Sequence, residues 1–204
     1  MSSLTHPHQR TPPSTARPQG ALAARSDEQL LALVRLGSDC AFETLATRYR
    51  TRLHRYCWSM LGSNESAEDA VQDVLVSAFR ALRADDREIL VRPWLYRVAR
   101  NRCLNELRRA GKIGFEPIDD ERPCDAPTAC EQLSSREQLR GLLADVHALP
   151  VKQRAALVLR EFDGYPYKQI ALTIDTTVPG VKSLLVRARN GLRSSSAVRE
   201  GALA

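Results

Sequence analysis

"YPYKQIALTIDTTVPGVKSLLVRARNGLR", Tyr165 to Arg193, holds two short helical repeats separated by a turn. In the first, Tyr167, Ile170, Ala171 and Ile174 recur at three- and four-residue spacing, the period of one helix face. Asp175, Thr176 and Thr177 break the pattern, and Pro179 suits the first turn of a second helix whose apolar stripe is Val181, Leu185, Ala188 and Leu192. This spacing predicts a helix-turn-helix. Lys182, Val186, Arg189 and Arg193 share the outward side of the second helix, with Ser183 and Arg187 beside them. A helix that exposes Lys and Arg in this way can lie in a DNA major groove and grip phosphates on either side. A plain helical hairpin would show the same spacing.

Working back along the chain, every periodic stretch is helical. "SDEQLLALVRLG" starts on a capping Ser or Asp and stops at Gly37; a longer helix carries Phe42, Leu45, Tyr49, Leu53, Tyr56, Cys57 and Met60 on one stripe and stops at Gly62. "GSNESAEDA" opens a third, with Ala67, Val71, Val74, Leu75, Ala78 and Leu82 buried. After the linker, "SSREQLRGLLADVHALP" offers Leu139, Leu142, Leu143 and Val146, and Pro150 begins another helix. No alternating β-branched run bounded by turns is present. The fold class expected is all-α: two small helical domains joined by a flexible acidic linker, the second containing the helix-turn-helix.

Composition sets the boundaries. Residues 1–25 are rich in Pro, Ser and Thr without an apolar period, which predicts a disordered tail. The two domains are expected over 26–113 and 134–204, with the linker at 114–133, where three Pro and six acids stand together. Net charge is +3 for residues 1–25, +3 for 26–113, −5 for 114–135 and +5 for 136–204. Two basic blocks flanking an acidic connector suit a polyanionic partner. No apolar run approaches the roughly 20 residues that span a bilayer, so no membrane insertion and a cytoplasmic location are expected.

"RPWLYRVARNRCLNELRR", Arg92 to Arg109, is the other informative stretch. Val98, Leu95, Ala99, Cys103, Tyr96 and Leu107 span about half the helix circumference at 100° per residue and should face a core. Trp94, Arg97, Asn101, Asn105 and Arg108 collect on the opposite side, and Arg92, Arg100, Arg102, Arg109 and Lys112 extend the positive potential. A Trp among Arg and Asn offers a stacking plane, phosphate-binding charge and amides for base edges, as single-stranded nucleic acid requires. A basic amphipathic helix whose Trp packs on a neighbour reads equally well from the wheel.

Taken in order from Ser26 to Arg193, the segments "AFETLATRYRTRLHRYCWSMLG", "SAEDAVQDVLVSAFRAL", "RPWLYRVARNRCLNELRR" and "LPVKQRAALVLREFDGYPYKQIA…VKSLLVRAR" resemble the extracytoplasmic-function (ECF) sigma factors of bacterial RNA polymerase. The resemblance implies a sigma factor that binds core polymerase, directs it to promoters and assists melting. Its partners would be the β′ clamp helices and β flap of core RNA polymerase, promoter DNA and an anti-sigma factor. It places core-polymerase binding on Asp69, Gln72, Asp73 and Val76. Contacts to the −10 element fall on Trp94, Arg97, Arg100, Asn101, Asn105, Arg108 and Arg109. Contacts to the −35 element fall on Lys168, Lys182, Ser183, Val186, Arg187, Arg189 and Arg193. The family often has "GTVKSRLHRAR" where this chain has "PGVKSLLVRAR", so Leu184 and Val186 stand where Arg and His are common. Asn105 stands where Asp is frequent.

Other functions fit less of the chain. A repressor using only the helix-turn-helix would leave the Trp94 side and the Asp69 to Val76 surface unused. The chain has no phosphate-cradling Gly loop, HExxH or nucleophile elbow, so no enzyme activity is expected, nor any cofactor or metal. Cys40, Cys57 and Cys103 read as small core residues, whereas Cys124 and Cys130, in "CDAPTAC", lie in the linker and leave a redox or metal role open.

Overall fold

The computed structural model describes residues 19–84, 87–111 and 131–202. These form helices α1 (Gln19–Ala23), α2 (Asp27–Arg35), α3 (Asp39–Leu61), α4 (Asn64–Ala84), α5 (Val91–Arg109), α6 (Glu131–Ala148), α7 (Val151–Glu161), α8 (Tyr167–Ile174) and α9 (Val178–Ala202). No strand occurs among the described residues, and none of the described helices is long and apolar enough to cross a membrane.

Local chemistry sets the helix ends. Ser26 and Gln29 cap α2 reciprocally, side chain to backbone in both directions. The Ser38 hydroxyl accepts from Ala41 N at 3.3 Å to open α3, and the Ser63 hydroxyl accepts from Ser66 N at 3.3 Å to open α4. Gly62 ends α3 in the left-handed region at φ 77°, where a Cβ would be strained. In the helix-turn-helix, Asp175 takes the same left-handed form at φ 56° to end α8, and the Thr177 hydroxyl accepts from Gly180 N at 3.2 Å to start α9.

Helices α2 to α5 enclose one part of the core, with Leu30, Val34, Leu45, Leu53, Tyr56, Met60, Val71, Val74, Leu82, Leu95 and Tyr96 buried. Helices α7 to α9 enclose a second around Leu159, Ile170, Ile174, Val181, Leu185 and Ala188. The two parts are not separate bodies. Tyr56 meets Tyr96 edge to face at 5.3 Å between centroids, and Tyr96 meets Tyr165 at 5.1 Å, so an aromatic column runs from α3 through α5 into the α7–α8 connection.

Several expectations are corrected here. The last residues of the expected tail carry α1, and the Arg48 guanidinium holds that end by donating to the carbonyls of Ala23 and Arg25 at 3.0 and 2.9 Å. Residues 1–18 and 112–130, with Cys124 and Cys130, lie outside the described residues; α6 already begins at Glu131, inside the expected linker. Leu139 and Leu142 are exposed rather than buried, because α6 packs on the rest of the protein near its C-terminal end, around Val146 and His147. Cys40 is exposed at the start of α3, one position after Asp39, whereas Cys57 and Cys103 are buried as expected.

Candidate nucleic-acid and polymerase interfaces

On α5 the 100° advance sorts the side chains much as the wheel predicts. Arg97, Asn101, Asn105, Arg108 and Arg109 are exposed, and Trp94 is half-buried at their N-terminal end. The Arg108 guanidinium donates to the Asn105 side-chain oxygen at 2.7 Å, which fixes the amide and leaves its NH2 outward. An aromatic edge, two amides and three cations thus lie along one solvent-facing strip.

Arg100 is the exception. It is 8 % exposed because it stands one turn beyond Tyr96 and one turn before Cys103, on the covered side of α5, and its positive charge favours the ionised form of the buried Tyr56 phenol. Burial nevertheless dominates and holds the Tyr56 phenol well above its ordinary value. Arg100 therefore does not belong to the solvent-facing strip in this conformation.

Asp69, Gln72, Asp73 and Val76 are all exposed on one side of α4 at spacings of three and four. Asp73 is already engaged: Arg102 of α5 donates to it at 2.7 Å and to Glu106 at 2.6 Å. Those two carboxylates raise the Arg102 pKa. The acidic strip of α4 and the basic strip of α5 therefore adjoin along this ion-pair triad.

In the helix-turn-helix, Lys168, Lys182, Ser183, Val186, Arg187, Arg189 and Arg193 are all exposed. The turn sets α9 so that Val181, Leu185 and Ala188 pack inward, with Val178 and Leu192 partly buried beside them. Arg189 pairs with Glu161 of α7 at 2.7 Å. Leu184 is partly buried against the core.

Sequence reasoning missed a third cluster, between the two halves of the core. Arg92 donates to the Asp163 carbonyl at 2.6 Å and lies 4.1 Å above the Tyr165 ring. Arg55 meets the Asp163 carboxylate at 3.3 Å, and that side chain is only 2 % exposed. The Arg154 guanidinium donates to the carbonyls of Met60 at 2.8 Å, Leu149 at 3.2 Å and His147. Trp58 meets His147 edge to face at 5.8 Å. Burial and the neighbouring Arg154 charge lower the His147 pKa, and the Trp58 backbone acts in the other direction. No group of three or more His, Cys, Asp or Glu suited to a metal occurs among the described residues.

Two family models match the chain: Sigma-70 region 2 over residues 45–113 and Sigma-70 region 4 over residues 142–192. ECF RNA polymerase sigma factor SigM of Mycobacterium tuberculosis H37Rv is 35% identical over 170 residues, which cover 83% of this chain and 84% of that protein. The ECF RNA polymerase sigma-E factor of Escherichia coli K12 is 30% identical over 178 residues, covering 82% and 92%. Among solved structures, CnrH in complex with the cytosolic domain of CnrY shares the fold, with a TM-score of 0.64, 24% identity and coverage of 86% of this chain and 97% of that one. With both sigma-70 regions in this order and such identity to SigM along most of either length, the chain belongs to the ECF sigma factors, which direct RNA polymerase to promoters for the initiation of transcription.

Proposed function

We propose that the three exposed strips divide the work of initiation. The α4 strip of Asp69, Gln72, Asp73 and Val76 docks on the β′ clamp helices of core polymerase, to which it offers acids around a small apolar centre. The α5 strip of Trp94, Arg97, Asn101, Asn105, Arg108 and Arg109 takes the opened −10 strand. The α9 side chains Lys182, Ser183, Val186, Arg187, Arg189 and Arg193, with Lys168 of α8, grip the −35 duplex. Residues 26–113 and 134–204 are then the two working domains, with 1–25 a tail whose last residues form α1 and 114–133 the connector that runs into the start of α6. The chain acts in the cytoplasm and has no enzymatic activity or cofactor of its own.

The observation that carries this reading is the strip on α5. Unstacking a base costs a few kcal/mol, and stacking it on an aromatic returns about 1–3 kcal/mol. A Trp bordered by exposed Arg and Asn can therefore hold an opened strand without ATP. Contact of core polymerase with the β flap and capture by an anti-sigma factor belong to the same reading. The second is supported by the structures of CnrH with CnrY and of the Bartonella quintana sigma factor RpoE with the anti-sigma factor NepR.

The test is transcription from a linear promoter library by purified core polymerase, with and without this chain. Transcripts that start at defined sites only when the chain is present, with shared sequence at two upstream elements, are expected. Identical transcript profiles in both reactions would overturn the assignment.

A further inference from the structure

Helix α5 opens without the help that its neighbours receive. Ser26, Ser38 and Ser63 cap α2, α3 and α4 with a hydroxyl. Leu90, at the N-cap of α5, makes no side-chain hydrogen bond, and the first turn of α5 holds no acid. A first turn without a cap keeps N–H groups that no side chain satisfies, and it frays more readily. Yet this turn ends on Trp94, whose N–H donates to the Leu90 carbonyl at 3.1 Å.

The support comes from two arginines on other helices. Arg35, in the last turn of α2, donates to the Arg87 carbonyl, three residues before Leu90. Arg83, in the last turn of α4, donates to the Gly37 carbonyl at 2.9 Å and to the Asp39 carboxylate at 2.6 Å. The end of α2 is thus tied to the approach to α5, and the end of α4 to the α2–α3 turn, each time by a guanidinium on a backbone carbonyl. Arg83 is itself anchored. Its guanidinium lies 4.4 Å from the Phe79 ring centre, and Phe79 meets Phe42 of α3 edge to face at 4.9 Å. A guanidinium suits this use because it stays charged and its planar N–H groups hold a direction. Residues 87–90 lie outside any helix, and of their four side chains only Ile89 tucks against the core. Their course therefore depends largely on ties to the backbone.

We propose that Arg35 and Arg83 are positioning residues for promoter opening: they set residues 87–90, and through them the first turn of α5, so that Trp94 stands ready for an unpaired base before DNA arrives. The inference rests on the reading of the α5 strip as the −10 contact. Neither arginine touches DNA in this scheme. Their contribution is preorganisation, since a turn that is already fixed loses less freedom when the strand is captured. Helix α2, which carries none of the DNA-contacting residues, then governs the opening step.

The test is the rate at which thymines of the −10 element become reactive to permanganate, measured with core polymerase, the full-length chain and a promoter recovered by the library transcription described above. Arg35→Met should slow opening about tenfold, the low end for loss of a charged hydrogen bond, while affinity for core polymerase and for closed duplex stays within about twofold. Arg83→Met, acting from α4, should slow opening in the same way. Arg35→Lys keeps the charge without the fork and should fall between Arg35→Met and wild type. Because the brace acts through Trp94, Arg35→Met should add less than about twofold to the defect of Trp94→Ala. Losses that multiply in the double variant would reveal an independent contact, such as a phosphate gripped by Arg35, and would overturn the proposal. Opening at the wild-type rate in Arg35→Met would overturn it too. So would a fall in core affinity as large as the fall in opening, which would make these arginines general supports of the fold. Failure of the wild-type chain to direct core polymerase to any promoter would instead overturn the functional reading itself.

Discussion

Replacing Arg154 by Met should be among the most damaging substitutions in the α6–α9 half. Arg154 is 9 % exposed and its guanidinium reaches the carbonyls of Met60, His147 and Leu149. Met60 stands one residue before the end of α3, and His147 and Leu149 flank the end of α6. These are carbonyls that a helix leaves without internal partners, and the negative ends of two helices converge on one cation. Desolvation lowers the Arg154 pKa, but an arginine stays protonated at neutral pH. Each charged hydrogen bond contributes about 1.5–3 kcal/mol. Met fills similar volume but leaves all three acceptors dry, a loss of about 3–5 kcal/mol once partial entry of water is allowed. For a urea m-value of about 2–3 kcal/mol per M, the midpoint should fall by about 1–2 M. Arg154→Lys keeps the charge but lacks the planar fork, so its midpoint should lie between the two. A Met variant whose midpoint stays within about 0.3 M of wild type would refute the claim that this guanidinium caps both helix ends.

Trp94→Ala should impair promoter opening more than binding to closed duplex, and equal loss of both in permanganate footprinting and duplex affinity would count against stacking at that position. Asp73→Arg both removes an acid from the α4 strip and repels Arg102; weaker recovery of core polymerase in a pull-down is expected, and unchanged recovery would remove Asp73 from that surface. His147 gives a pH dependence of definite sign. Its pKa in the folded chain lies below the ordinary 6.5, so its stabilising contribution is complete above about pH 6.5 and is lost as pH falls below it, when the unfolded chain takes up the proton first. The urea midpoint of wild type should therefore drop more between pH 7.5 and 5.5 than that of His147→Phe, which keeps a ring against Trp58; parallel curves would show that His147 does not titrate in this way.

Much of the fold was legible because helices announce their ends and their inward sides. Ser26 and Ser63 supply hydroxyl caps, Gly37 and Gly62 end their helices in the left-handed region, and the Asp175 to Thr177 turn falls where the apolar period breaks. The strips on α4, α5 and α9 were legible for the same reason, since a position off the apolar stripe is normally exposed. Arg100 shows where this fails. A wheel says which side is apolar, but not that a second layer covers the polar margin next to it, and an arginine can bury a long stem there. The Arg154, Asp163 and Tyr165 contacts were illegible for a related reason. Their partners lie more than 60 residues away, at Arg92, Tyr96 and Met60, and no local period encodes a pairing between two amphipathic units that each satisfy their own pattern. Leu139 and Leu142 erred the other way: their spacing is amphipathic, yet among the described residues none covers that part of α6.

The departures from the usual reading-helix sequence weigh differently once α9 is in place. Leu184 is partly buried against the core, so the cation common at that position in the family has given way to a side chain that packs, and little is lost from the outward strip. Val186 is the consequential change, because it is 55 % exposed at the middle of that strip. An apolar side chain there cannot donate to a base edge, but it can meet the methyl group of a thymine in the major groove. Lys182, Arg187 and Arg193 flank it as exposed cations, while Arg189 is drawn toward Glu161. Phosphate contacts position a helix without reading sequence. On the proposed reading, α9 therefore combines a firm and largely sequence-neutral grip with a small apolar centre. Its discrimination at the −35 element then rests on thymine methyl contact and DNA shape more than on hydrogen bonds to bases. In that arrangement the amide-bearing strip of α5, with Asn101 and Asn105 outward, carries the larger share of promoter choice.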